Sequence, residues 1–391
     1  MSTQPETVPA ASLPLRPEIV GEEPYGAPQL DVPVQLNVNE NPYPPSDAVV
    51  ASVAAAVTEA ARGLNRYPDR EFRALRSALA VYLEREAGVT GLDADHLWAA
   101  NGSNEVMLHL LQAFGGPGRT ALSFAPTYSM YPEYARDTST AWVAGRRAED
   151  FTLDADHACE LIARVRPSVV LLPSPNNPTG TALPLETVRR ILDVARTSGP
   201  LDGTAGATDA ADLPATSTVV VIDEAYAEFR REGTPSALTL LADNPHLAVT
   251  RTMSKAFGMA GARLGYLAAA PALVDALRIV RLPYHLSAVT QAVALAALAH
   301  TDELMGQVAG LRAERDALVD WFAEQGLDAV PSDANFVLFG RFADRDAVWT
   351  RLLERGVLIR QSGPDGWLRV SVGTPEETAA FKAALVEVLG A

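Results

Sequence analysis

Val219-Val220-Val221-Ile222-Asp223-Glu224-Ala225-Tyr226 opens on four β-branched residues and closes on two acids and a phenol. A run with no polar residue on either side of its pleat reads as a strand buried on both faces, the kind found in parallel sheets covered by helices. Two further segments share this pattern. Ser168-Val169-Val170-Leu171-Leu172 leads into Ser174-Pro175-Asn176-Asn177-Pro178-Thr179-Gly180. His246 to Thr250 leads into Thr252-Met253-Ser254-Lys255-Ala256-Phe257-Gly258, with Arg263 eight residues beyond the lysine. In open parallel sheets ligands sit at the carboxyl ends of strands, so the three runs would bring Asn177, Asp223 and Lys255 together.

Working outward, strands are expected at Thr120 to Phe124, Ala141 to Ala144, Ser168 to Leu172, Thr218 to Ile222, His246 to Thr250 and Arg263 to Ala268. Helical patterns precede them at Ala48 to Ala61, Phe72 to Ala87 and Ser103 to Phe114, with Ser46, Asp69 and Ser103 near the caps. This alternation predicts an α/β fold with a mostly parallel sheet flanked by helices. Past Arg281, helical spacing from Ser287 to Gln325 precedes a strand at Asn335 to Phe339, a helix at Asp344 to Arg355 and a strand at Trp367 to Ser371. The expected division is a tail and arm over 1–45, a large domain over 46–285 and a smaller α+β domain over 286–391. Residues through Ser12 read as a mobile tail, and the Gly, Ala, Asp and Thr-rich stretch from Thr197 to Thr218 as an inserted mobile loop.

Composition narrows the partners. The chain has 391 residues, 48% of them hydrophobic, and a formal net charge of −16, which repels a phosphate backbone or an anionic membrane. No nucleic acid and no membrane is expected as a partner, and an anionic small molecule must be gripped by local cations. Cys159 is the only cysteine, which excludes an intrachain disulfide and a thiolate metal cluster; no metal is expected. No basic flank with an apolar core opens the chain, so a cytoplasmic setting is expected.

The strand-end residues suit one chemistry. An aldehyde cofactor needs an amine to hold it, and a lysine buried near other cations has a lowered pKa and can both attack and shuttle protons: Lys255. A pyridine ring works as an electron sink only while its nitrogen is protonated, which the carboxylate of Asp223 would enforce. Tyr226 and Asn177 can bond the ring's 3-oxygen. Gly102-Ser103-Asn104 opens a helix whose free N–H groups suit a phosphate, with Thr252, Ser254 and Arg263 adding donors and charge. Tyr128 can stack on a flat ring. Taken singly, each has an ordinary reading: a solvated lysine, a simple turn, a helix cap, a core tyrosine. Their joint occurrence at strand ends points to pyridoxal 5'-phosphate.

With Asn37-Val38-Asn39-Glu40-Asn41-Pro42, Asn65-Arg66-Tyr67-Pro68, Leu358-Ile359-Arg360 and Leu368-Arg369-Val370-Ser371-Val372-Gly373-Thr374 added, the chain from about Tyr25 onward resembles the fold-type I pyridoxal-phosphate enzymes, specifically aminotransferases of the histidinol-phosphate type. The resemblance implies a homodimer in which Tyr67 reaches the cofactor phosphate of the neighbouring subunit. It implies that Arg369 binds the donor's α-carboxylate, that Arg360 helps hold the substrate phosphate, and that Tyr25 and Asn39 in the arm contact substrate. The implied activity is amino transfer between L-histidinol phosphate and 2-oxoglutarate in histidine biosynthesis. An aromatic amino acid aminotransferase and, in another reaction class, a threonine-phosphate-type decarboxylase share the scaffold. A binding module that merely kept the fold would be expected to lose Lys255, Asp223 or Arg369, and none is lost. A nucleotide-binding oxidoreductase lacks its Gly-x-Gly-x-x-Gly here. Two features depart from the pattern: Gln361, where relatives often carry Asp or Asn, and the Thr197 to Thr218 insertion, expected at the opposite edge of the sheet from the catalytic strand ends.

Overall fold

The computed structural model describes residues 13–201 and 216–390. The expected tail through Ser12 and most of the Thr197 to Thr218 stretch lie outside them. In chain order the elements are β1 (Val34–Gln35), α1 (Asp47–Ala61), α2 (Arg73–Ala87), β2 (Leu97–Ala100), α3 (Ser103–Phe114), β3 (Thr120–Ala125), α4 (Tyr131–Asp137), β4 (Ala141–Arg146), α5 (Ala155–Val165), β5 (Val169–Pro173), α6 (Leu185–Ala195), β6 (Val219–Asp223), β7 (Leu247–Thr252), β8 (Gly265–Ala269) and α7 (Pro271–Val280). They continue with α8 (Ala288–Leu298), α9 (Thr301–Glu324), β9 (Asp328–Ala329), β10 (Phe336–Gly340), α10 (Arg345–Glu354), β11 (Val357–Leu358), β12 (Trp367–Ser371) and α11 (Pro375–Gly390).

The central sheet has seven strands in the order β2-β8-β7-β6-β5-β3-β4. The run that opened the reading, β6, is its middle strand, buried at every residue and paired in parallel with β5 and β7. Only β8 runs against the others. Its link to β7 contains no α-helix to carry the chain back across the sheet, so the chain reverses directly and the lysine segment and Arg263 stay at one end. Within the central sheet, the strand absent from the sequence expectations is β2. Its Leu-Trp-Ala-Ala carries no β-branched residue and follows a helix, so nothing local marks it as extended.

Boundaries shift for identifiable reasons. Phe72 takes a left-handed conformation (φ 34°), so α2 starts at Arg73, while Asp69 accepts from the Glu71 and Arg73 amides. Arg263 is also left-handed (φ 55°), which delays β8 to Gly265. Ser46 caps α1 by accepting from the Val49 amide at 3.3 Å. For α3 the cap is Gly102, not Ser103, which is the first helical residue. The insertion enters the sheet at the start of β6 and not at an edge, and its feet are joined by Gly199 N donating to Thr216 O at 2.8 Å. That end of β6 is the one opposite Asp223.

Two large apolar cores result among the described residues, beside a small cluster of Phe151, Val330, Leu338 and Trp367. One surrounds the seven-stranded sheet and takes in Leu304, Val308 and Leu311 from the first half of α9. The other joins Val34 and Leu36 of the arm to Leu318 and Phe322 from the same helix, with Val337, Leu368, Phe381 and Leu385. The arm is held there by β1 pairing in parallel with β11. No helix of the described residues is long and apolar enough to cross a membrane.

A close approach locks β8 to the start of α3. A Cβ on Gly265 would sit against the main chain of Gly102 and Ser103, with no side chain able to yield. Gly265→Ala is therefore expected to destabilise the fold by about 1–3 kcal/mol through overpacking. Denaturant midpoints of the two proteins measure this.

Candidate active site

Asp223 closes β6 and is buried, with each carboxylate oxygen satisfied by a neighbour of known origin. Thr250, its register partner on β7, donates from Oγ1 to Oδ1 at 3.0 Å, and Tyr131 at the start of α4 donates its hydroxyl to Oδ2 at 2.9 Å. Burial raises the carboxyl's pKa, and the bonds from Tyr131 and Thr250 work against that rise. Tyr131 and Thr250 were not singled out from sequence. Thr250 was accessible: in parallel strands whose ends are aligned, the residue beside Asp223 follows from the register. Tyr131 required the tertiary path of the β3 to α4 loop.

Lys255 lies in the link between β7 and β8. Its Nζ donates to the Val38 carbonyl at 2.9 Å and lies 6.0 Å from the centroid of the Tyr226 ring. Burial pushes its ammonium down to about 8, with Arg369 and Arg263 adding to the effect against Glu40. The Tyr226 hydroxyl accepts from Asn39 Nδ2 at 3.0 Å, so the arm residue is locked onto the floor of the site. Burial raises the Tyr226 phenol, opposed by Arg369 and Asn39.

At the other end of the lysine segment, α3 begins beneath Gly102 (φ +86°), and a Cβ there would run into the Arg263 guanidinium. Glycine therefore lets the arginine lie against the helix start. Thr252 Oγ1 donates to Ser254 Oγ at 3.0 Å and accepts from the Ser254 amide at 3.1 Å. Free amides of α3, two hydroxyls and a guanidinium converge as an anion cradle. Glu105 stays out of it, folding back to accept from Asn101 N and Nδ2 at 2.6 and 2.7 Å.

Two arginines face this floor from the C-terminal sheet. Arg360 and Arg369 exchange main-chain hydrogen bonds at 3.0 and 2.9 Å as an antiparallel bridge, so their side chains come from adjacent backbone. Arg369 Nη1 donates to Asn177 Oδ1 at 2.5 Å and Nη2 to the Asn37 carbonyl at 2.8 Å, while its buried Nε has no partner. Burial pushes its pKa down to about 10, Tyr226 resisting and Arg360 adding. Among the described residues, the Arg360 side chain makes one hydrogen bond, from Nη2 to the Gly26 carbonyl at 3.4 Å. Gln361, the first departure from the family pattern, also borders the cavity and donates its amide to Asp346 of α10 at 2.9 Å.

Tyr25, Asn39, Ser103, Asn104, Tyr128, Asn177, Asp223, Tyr226, Thr252, Ser254, Lys255, Arg263, Arg360 and Arg369 all line one cavity of about 930 Å³. Tyr25 bonds Ser129 at 3.0 Å at its mouth, and Tyr128 stands edge-on to Tyr131 with centroids 5.5 Å apart. Tyr67 is not brought there: it is 79% exposed and its ring stacks on Tyr284 at 4.4 Å.

The aminotransferase class I and II family model matches residues 32–201 and 208–385. The chain belongs to that family. A histidinol-phosphate aminotransferase of Thermobifida fusca is 60% identical over 97% of this chain and 96% of its own length. One of Bifidobacterium longum is 58% identical over 97% of each. Among solved structures, the histidinol-phosphate aminotransferase of Sinorhizobium meliloti in complex with pyridoxal-5'-phosphate is 24% identical and superposes with a TM-score of 0.81 over 97% of this chain and 99% of that one, a likeness of fold.

Aminotransferases run on pyridoxal 5'-phosphate, and the residues present fit it. A buried carboxylate, an amine of lowered pKa and an anion cradle occupy one cavity, and the orphaned Arg369 Nε suits a substrate carboxylate. Because only the neutral amine can attack an aldehyde, uptake of pyridoxal phosphate by the cofactor-free protein is expected to quicken as pH rises through about 8, not through the ordinary lysine value of 10.5. Stopped-flow absorbance across that range tests it, and a midpoint near the ordinary value would remove the basis for a depressed Lys255. Tyr131→Phe is expected to weaken cofactor retention by about tenfold, since it strips one donor from a buried carboxylate. Equilibrium dialysis of the two holoenzymes measures this.

Proposed function

We propose that the protein is an L-histidinol-phosphate:2-oxoglutarate aminotransferase, acting in histidine biosynthesis as a cytoplasmic homodimer. The observation that carries this reading is the Arg360–Arg369 bridge, which brings two arginine side chains from adjacent backbone into one cavity. Glutamate brings a carboxylate to Cα where histidinol phosphate brings a phosphomethyl group, and planar cationic forks serve both. The full-length likeness to curated histidinol-phosphate aminotransferases supports it.

In this reading bound pyridoxal phosphate supplies the electron sink. Asp223 keeps a proton on the ring nitrogen. Ser103, Asn104, Thr252, Ser254 and Arg263 hold the phosphate. Tyr226 and Asn177 bond the ring's 3-oxygen, and Asn177 is suited because its Oδ1 already accepts from Arg369, which leaves Nδ2 to donate. Lys255 takes and returns the proton at the substrate Cα, and Tyr128 stacks on the ring. Arg369 binds the α-carboxylate, Arg360 the phosphate, and Tyr25 and Asn39 close the arm over them. Tyr67 serves the neighbouring subunit's phosphate. Its exposed ring, with the exposed Leu64, Ile279 and Leu282, supports that assembly.

Half-reaction spectroscopy of the holoenzyme separates the candidates. Histidinol phosphate is expected to bleach the cofactor band fastest and at the lowest concentration, and Arg360→Ala to raise its KM by about tenfold or more, as loss of a charge-assisted contact requires. Faster conversion by phenylalanine would make the protein an aromatic aminotransferase, and carbon dioxide release from threonine phosphate would make it a decarboxylase.

A further inference from the structure

On the face of the sheet turned away from the cavity lies a set of buried charges that the site above does not use. Side chains alternate along a strand, so if Asp223 and Thr250 face the cavity, Glu224 and Arg251 face the other way. Arg251 is fully buried and uses its whole fork. Nε donates to Glu224 at 2.9 Å, Nη1 to Glu228 at 3.1 Å and Nη2 to Glu86 of α2 at 2.9 Å. Arg230 bonds Glu86 at 2.7 Å, Tyr82 bonds Glu228 at 3.0 Å, and Ser236 Oγ and the Ala237 amide hold the two oxygens of Glu224 at 2.7 and 2.8 Å.

Three carboxylates thus meet two guanidinium groups, with Arg251, Glu224 and Glu228 buried and Glu86 and Arg230 partly so. Burial opposes the Arg251 charge, but Glu224, Glu86 and Glu228 outweigh it and hold its pKa well above the ordinary value. Such a cluster is a poor way to gain stability, because the desolvation of so many ions consumes most of the attraction. Its geometry suggests another purpose. Two of the bonded residues are one step from a group on the cavity face: Glu224 follows Asp223, and Arg251 sits between Thr250, which bonds Asp223, and Thr252, where the lysine segment begins.

We propose that Arg251 is a positioning residue for amino transfer: by tying the ends of β6 and β7 together from behind, it sets the separation between the Asp223 carboxylate and the Lys255 amine. The inference rests on the reading of Lys255 and Asp223 as the cofactor's two anchors. A lysine in its place keeps the charge but offers a single point where three directions are needed, so the strand ends can slide.

The test compares holoenzymes of Arg251→Lys and Arg76→Lys with the unmodified protein. Arg76 is also buried, bonds the Ala94 carbonyl at 2.6 Å and does not line the cavity, so it reports the effect of a general loss of stability. Arg251→Lys is expected to shift the pH midpoint of the cofactor absorbance by about half a unit or more through the altered surroundings of Asp223 and Lys255. It is expected to weaken pyridoxal phosphate binding and lower kcat by about tenfold, with KM for glutamate nearly unchanged, because misplacement acts on the reacting geometry. Arg76→Lys should lower Tm and leave midpoint and kcat alone. Should Arg251→Lys not accumulate as folded protein, Ser236→Ala removes the hydroxyl that donates to Glu224 and accepts from Arg251 Nη2, and must move the midpoint in a smaller but measurable way. An unmoved midpoint and kcat in the folded Arg251 variant, or in Ser236→Ala where that variant replaces it, would sink the proposal. Loss of the cofactor band in Lys255→Ala checks the underlying reading separately: a retained band would overturn that assignment whatever Arg251 does.

Discussion

A buried carboxylate is costly unless its oxygens are hydrogen-bonded, and each oxygen of Asp223 accepts from one neighbour, Oδ1 from Thr250 and Oδ2 from Tyr131. Most of the architecture around the cavity follows from keeping that charge in place. The register of β6 against β7 puts Thr250 beside it, and α4 begins where it does so that Tyr131 can reach it. The direct reversal from β7 to β8 then keeps Lys255 and Arg263 at the same end of the sheet, with Lys255 on the side of Tyr226 and Arg263 against the start of α3. Burial acts in opposite senses on the acid and the amine: it raises the first and lowers the second, bringing both toward neutrality, where protons can be held and passed.

The arm and the C-terminal sheet complete the cavity by a second constraint. Asn39 bonds Tyr226 on one side and Ser371 on the other, at 3.0 and 2.9 Å, so one residue of the arm fastens the floor to β12. Asn335 Nδ2 holds the Asn39 carbonyl at 3.0 Å. Arg369 in turn joins Asn37 of the arm to Asn177 beyond β5. The substrate side is therefore assembled from three distant stretches tied to one another by side-chain hydrogen bonds, while the Arg369 Nε is left over for a ligand.

The strand ends were legible because their chemistry is local. Val219 to Ile222 can only be a buried strand, and a carboxylate directly after it can only sit at the strand's mouth. The same reasoning placed Asn177 and Lys255. The β2 strand was not legible, since Leu97-Trp98-Ala99-Ala100 becomes extended only because β8 offers it an antiparallel edge. Nor was the position of the insertion, which depends on β6 being the central strand and not an outer one. Gln361 drew attention in the sequence, yet its partner is Asp346, fifteen residues back along the chain on α10.

By itself, the sequence determined which polar residues stand at the strand ends and which elements carry them, because side-chain pattern and strand-end position are properties of neighbouring residues. Tertiary structure alone decided how those residues are tuned and held. Tyr131 on Asp223, the Val38 carbonyl on Lys255, the pairing of Arg360 with Arg369 and the charges gathered behind β6 and β7 all join stretches far apart in the chain. Hydrogen bonds and burial act over a few ångströms, and only the folded chain brings those groups within that range.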